Sequence, residues 1–137
     1  MAKGMLTGFR IAAAGMSAQR LRMQIVSSNL ANAQTTRGED GGAYKRQQPV
    51  FQSVMLERGS ALRGVEVAEV VRDESPGALV WDPDHPDADA DGNVEMPNVE
   101  VLEEVTDLVT ASRSFDANVQ AFQTLRDMVE RAMEIGR

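Results

Sequence analysis

Between Met5 and Ala33 the chain repeats its apolar residues every seven positions, at Phe9, Met16, Met23 and Leu30. Met5, Ala12, Val26 and Ala33 fill the companion position, with Gln19 as its one polar member. This is the a/d spacing of a coiled coil, and it predicts a helix over the segment. Gly4, Gly8 and Gly15 each weaken such a helix by about 1 kcal/mol relative to alanine. A helix so weakened takes its stability from packing against a partner.

The second long periodic segment lies at the other end. After Pro97 neither proline nor glycine recurs until Gly136, and a helix to Ile135 would extend about 55 Å at 1.5 Å per residue. Asn98 is the predicted N-cap, with Glu100, Glu103 and Glu104 near the positive end of the helix dipole. Val101, Leu108, Phe115, Phe122 and Val129 hold one seam position. Ala111, Leu125 and Ala132 hold the other, which Glu104 and Asn118 interrupt.

Residues 34–97 follow neither period. "RGEDGGAY" reads as an exposed loop, and Val65 and Val67 alternate around Glu66 in the manner of a strand. Pro49, Pro76, Pro83, Pro86 and Pro97 divide the region, which predicts two to four short strands within irregular chain. The expected class is therefore mainly α, with long terminal helices packed as an antiparallel coiled-coil-like hairpin around a loop-rich middle. Residues 1–34 and 97–137 form the expected helical assembly domain, and residues 35–96 an insertion.

Charge supports pairing of the ends. Residues 1–38 carry five basic residues and no acid, a net +5; residues 99–137 carry eight acids and four arginines, a net −4. The whole chain is at −7, which disfavours nucleic acid as a partner. Aromatic residues make up 4% against 42% hydrophobic overall, so narrow seams of Ala, Val, Leu and Met fit better than a core of large rings. The absence of cysteine removes disulfides and thiolate metal sites. No apolar run approaches the roughly 20 residues of a membrane span. Arg10 interrupts the apolar part of the N-terminus, so the segment is read as retained rather than as a cleaved signal peptide.

Candidate chemistry is sparse. In "HPDADADGNVEMPN", Asp87, Asp89, Asp91 and Gly92 stand at the spacing that opens an EF-hand loop. Position 12 of that loop is Asn98, which cannot supply a bidentate carboxylate, and the flanking prolines exclude the entering helix. The favoured reading is a solvated turn, since aspartate is a turn residue; an acidic calcium-binding helical module, with metal ligands Asp87, Asp89 and Asp91, is the alternative. His85 is the single histidine and is read as a loop residue. No phosphate-binding glycine loop occurs, so neither an enzyme activity nor a cofactor is expected. Trp81 is read as covering a small β core. Two narrow seams joined by a poorly hydrophobic middle point to assembly with copies or relatives rather than to a monomer.

"SSNLANAQTT" resembles the N-terminal signature of the bacterial flagellar axial proteins, with Asn29, Leu30, Ala31, Asn32, Ala33 and Thr35 matching and Gln34 departing from the usual Asn. "TTRGEDGGAYKRQQPVF", "DPDHPDADADGNVEMPNVEVLEE", "ASRSFDANVQAF" and "AMEIGR" are similar to the FlgC family of rod proteins. The resemblance implies a structural subunit of the proximal rod of the flagellar basal body. Such subunits leave through the flagellar type III apparatus and assemble with other rod proteins into a periplasmic helical tube that transmits torque. The implied assembly interface is Phe9, Met16, Met23, Asn29, Leu30 and Asn32 with Val101, Leu108, Phe115, Phe122, Leu125 and Val129. Asn29 and Asn32 are expected to bond backbone groups where the first helix ends.

Overall fold

A computed structural model describes residues 2–56 and 61–136. The elements run α1 (Ala2–Ala31), β1 (Gln47–Met55), β2 (Arg63–Arg72), β3 (Leu79–Trp81), β4 (Asn93–Glu95) and α2 (Val101–Ile135). Two long terminal helices and a middle of antiparallel strand pairs make the fold mainly helical. Among the described residues, no helix is long and apolar enough to cross a membrane.

The middle is more ordered than its prolines suggest. β1 and β2 pair antiparallel over nine and ten residues, and Pro49 sits inside β1 opposite Val70 instead of ending it. In a two-stranded ribbon both strands are edges, where a missing N–H costs no ladder bond if it faces outward. The register slips between Val50 and Phe51, whose partners are Glu69 and Val67. Ala68 is thus the extra residue of a bulge, which bends the ribbon. β3 and β4 form a second, three-residue pair. Gly92, at φ +80°, turns the chain into β4.

α1 carries two packing faces. One meets α2, and the other lies under the β1–β2 ribbon, where Ala18 and Leu21 share a groove with Val54, Val65 and Val67. Among the described residues the buried apolar ones are Ala12, Ala18, Ile25, Val26, Ala43, Val94 and Ala111. All are small or aliphatic, as the low aromatic content requires.

Contacts between the helices step up one as they step down the other. Gly8 meets Leu125, the rings of Phe9 and Phe122 stack edge-on with centroids 4.9 Å apart, and Gly15 meets Asn118. Further along, Arg22 pairs with Asp107 and Asn29 bonds Glu104. The two polar residues read as interruptions of the α2 seam are therefore in the contact itself. Glu104 and Ala111 are the buried residues of α2, while Leu108, Phe115, Phe122 and Val129 flank them half-buried. Polar groups take this central position because each has a local acceptor or donor: Asn118 donates back to the Ser114 carbonyl at 2.9 Å.

The glycines of α1 also have a second role. A methyl group on Gly15 would lie 2.8 Å from Asn118 Oδ1, and one on Gly8 3.1 Å from Leu125 Cδ1; nothing lies within 4 Å of Gly4. What weakens the isolated helix lets its partner approach. The same substitution should therefore have opposite signs at two positions. Gly4→Ala should gain up to about 1 kcal/mol of stability from helix propensity. Gly15→Ala should lose about 1–3 kcal/mol through overpacking, with part recovered by adding Asn118→Ala. Equilibrium urea unfolding of the three variants measures this.

Candidate functional site

The most constrained chemistry in the molecule lies where the end of α1, the start of β1 and the first turns of α2 converge. Asn29 is 1% exposed and uses its whole amide. Its Nδ2 donates to the Gln47 carbonyl at 2.8 Å and to Glu104 Oε2 at 2.9 Å. Its Oδ1 accepts from the Gln47 N–H at 3.0 Å and the Tyr44 hydroxyl at 2.9 Å. Asn29 thus acts toward Gln47 as a neighbouring strand would, exchanging both backbone bonds.

Glu104 is fully buried, and a buried carboxylate is tolerated only when paired and hydrogen-bonded. Asn29 supplies one donor and Arg46 Nε the other, to Oε1. Arg46 also reaches Glu103 at 3.5 Å. Burial acts to lower the pKa of the Arg46 guanidinium, but the hydrogen bond and charge of Glu104 outweigh it and hold the group above its ordinary value.

Asn98 extends the network rather than capping the helix. α2 begins three residues later with Glu100 at its N-cap position and no side-chain cap bond. Asn98 Oδ1 accepts the Arg46 N–H at 2.8 Å, while its Nδ2 donates to the carbonyls of Asp73 at 2.8 Å and Ser75 at 3.0 Å. Its side chain is taken by the chain segments on either side of the β1–β2 ribbon, and the helix dipole is met by the first-turn acids Glu103 and Glu104 instead of by a side-chain cap. Asn32 closes α1 by donating to the Ser28 carbonyl at 2.9 Å and accepting from Thr35 at 3.1 Å.

The aspartates divide between different tasks, and the calcium-binding alternative is not supported. Asp87 accepts from Thr36 at 2.7 Å and faces Arg37 at 3.6 Å, tying this loop to the end of the first motif. Asp89 Oδ1 accepts the backbone N–H groups of Asp91 and Asn93 at 2.9 and 2.8 Å, which closes the turn. Asp91 is exposed. No group of three or more metal-ligating side chains stands together among the described residues. His85 Nδ1 accepts the Asp87 N–H at 3.0 Å and is a turn residue. Trp81 covers no core: it is 73% exposed, beside Leu79 at 68%.

Of the other residues singled out from the sequence, Phe9, Met16, Met23 and Leu30 on α1 and Leu108, Phe115, Phe122, Leu125 and Val129 on α2 are half-buried. Val101, the first residue of α2, is 53% exposed. Sequence reasoning missed Tyr44 and Arg46, placed Glu104 at the helix dipole without seeing it in the contact, and misassigned Asn98. A charged residue at a seam position, with an arginine available elsewhere, was the signal for Glu104. Nothing local marked Arg46.

The comparisons place this geometry in a known class. The family model described as "Flagella basal body rod protein" matches residues 9–37, and the one described as "Flagellar basal body rod FlgEFG protein C-terminal" matches residues 90–135. Both ends of the network thus lie in segments typical of rod proteins. The flagellar basal-body rod protein FlgC of Escherichia coli O6:H1 is 41% identical, over 97% of this chain and 98% of the relative. That of Bacillus subtilis is 39% identical over 93% and 95%, and that of Aquifex aeolicus 42% over 90% and 91%. The chain belongs to the FlgC family of flagellar basal-body rod proteins.

Two predictions test the network. Asn29→Ala orphans buried groups and should cost about 1–3 kcal/mol. Asn29→Asp sets a second carboxylate against Glu104 and the Gln47 carbonyl, and should cost more, about 3–5 kcal/mol; chemical denaturation ranks them. The second concerns acid. Ser75, through its hydroxyl and N–H, holds the Asp73 carboxyl below the usual carboxylate range. Lys45 and the Gly77 N–H do the same for Glu95. Groups depressed by folding contribute stability above their unfolded pKa, about 4, and lose it as pH falls through the folded value. Protection factors at the Ser75 and Gly77 amides, measured against the intrinsic exchange rate at each pH, should therefore stay constant from pH 7 to about 5 and fall below about pH 4.

Proposed function

We propose that the chain is a structural subunit of the proximal rod of the bacterial flagellar basal body, self-assembling with other rod proteins into a helical tube that transmits motor torque. Residues 1–34 and 97–137 act as the assembly domain, an antiparallel coiled-coil-like hairpin, and residues 35–96 fill space beside it. The subunit reaches the periplasm through the flagellar type III apparatus. Its role is mechanical rather than catalytic.

The observation that carries this reading is the incomplete burial of α2. In a helix of 35 residues, only Glu104 and Ala111 are buried. Leu102, Val105 and Val109 are 74%, 43% and 47% exposed along one side, and Met133 and Ile135 stand out at the far end. An amphipathic helix gains its stability by covering its apolar stripe, and one chain leaves much of this stripe uncovered. Neighbouring subunits are the natural cover, and the relatives, named as basal-body rod proteins over nearly their whole length, supply the context. Seams running along a tube resist torsion because close-packed side chains transmit strain.

Phe122→Asp tests the reading in a cell lacking its own chromosomal copy. The charge would enter the Phe9 contact without a partner, so motility and recovery of the chain in purified basal bodies should both be lost while the chain is still made. Asp87→Ala with Asp89→Ala should retain motility in part, since those carboxylates hold a turn. Normal swimming by the Phe122→Asp strain would overturn the proposal.

A further inference from the structure

The β3–β4 ribbon raises the question of what covers Trp81. Leu79 and Trp81 alternate with Val80 along β3, so they share one face, and they are 68% and 73% exposed. The ribbon lies in the most acidic part of the chain: residues 73–95 contain eight acids and no lysine or arginine. Asp82, Asp84 and Asp91 are exposed and have no ion-pair partner among the described residues. Glu95, opposite Leu79, is paired with Lys45 and Asp87 with Arg37, which leaves Asp82, Asp84 and Asp91 as the unpaired carboxylates of the strand pair and its connecting loop. An exposed aromatic and leucine with these acids nearby fit a partner with an apolar recess and a basic rim.

The same molecule carries such a recess. Between α1 and the β1–β2 ribbon lies an open groove of about 480 Å³, lined on its apolar walls by Ala18, Leu21, Val54, Val65 and Val67. Its charged lining residues are Arg20 and Glu66, and Glu66 is held at 2.5 Å by Gln52. Arg20 is exposed with no ion-pair partner among the described residues. Arg10, exposed in the same way, lies on the same side of α1 as the groove-lining Ser17, one heptad before it. The helix that provides the rim carries no acid.

We propose that the β3–β4 ribbon of one copy docks in the α1/β1–β2 groove of a second copy, with Leu79 and Trp81 in the recess and the carboxylates around them facing Arg20 and Arg10. The two patches share no residue, so the contact is head-to-tail and repeats from copy to copy. Opposite charges fix the direction of docking, and the apolar insertion supplies most of the hold. This interface rests on the self-assembly proposed above and specifies one of its surfaces.

Because the chain has no cysteine, introduced thiols report the contact alone. A full-length chain carrying both Gln24→Cys, beside the groove, and Leu79→Cys, on the ribbon, is expressed in a strain without its own copy. Basal bodies are then purified and mildly oxidised. A disulfide-linked ladder longer than a dimer is expected from the double variant, and no ladder from either single variant. Adding Arg20→Glu should reduce the ladder about fivefold or more, and Arg20→Lys should keep it.

Several results would overturn the proposal: no ladder from double-variant chains present in basal bodies, dimers from Leu79→Cys alone, bonding of the Leu79→Cys thiol to a different protein, or a ladder indifferent to Arg20→Glu. An intrachain disulfide, seen as a faster-migrating monomer, would do the same. If the unsubstituted chain were itself missing from basal bodies, the rod assignment would fall instead, and the two failures are thereby told apart.

Discussion

Burying one carboxylate organises this molecule. Glu104 has no contact with water, and removing a charge from water costs several kcal/mol unless partners are in place. Those partners come from two distant parts of the chain: Asn29 from the end of α1 and Arg46 from the approach to β1. Each partner is in turn held. Asn29 is fixed by Gln47 and Tyr44, and the Arg46 backbone exchanges bonds with Asn98 and Asp73. The position of α2 against α1, and of the β1–β2 ribbon beside both, therefore follows from satisfying a single buried group.

Along the helices the constraint is of a different kind. Beyond the Arg22–Asp107 pair two glycines admit Asn118 and Leu125 and one aromatic pair stacks edge-on, while much of the apolar side of α2 is left exposed. One end of the helix pair is specified by polar bonds that admit little substitution. The other is a close, thin contact that leaves apolar surface uncovered. A subunit built this way has a defined fold at one end and adaptable surface along its length.

The long periods were legible from sequence because helix-forming segments free of proline leave few alternatives: α1 and α2 fall within a few residues of the expected limits. Pro49 looked like a break because the sequence does not say that β1 is an edge strand. Asn98 looked like a cap because its competing partners, Arg46 and Ser75, are far away in the chain. Glu104 and Asn118 looked like flaws in a seam because polarity alone does not reveal whether a donor waits opposite. Trp81 was read as covering a small β core from residue type, yet it is largely exposed. The family resemblance was legible in "SSNLANAQTT" and the block from His85 to Asn98, and in this chain Asn29, Asn32, Asp87 and Asp89 of those stretches each make specific bonds.

The spacing of the Glu104 network along the chain sets a clock. Its bonds join residues separated by 18, 58 and 75 positions. If the chain is delivered N-terminus first, Asn29 can meet Tyr44 and Gln47 early, but its bond to Glu104 waits until residue 104 has arrived. Closing so long a loop is slow compared with helix formation. The completed network thus waits on about three-quarters of the sequence, and a chain delivered that way would hold no finished structure until then.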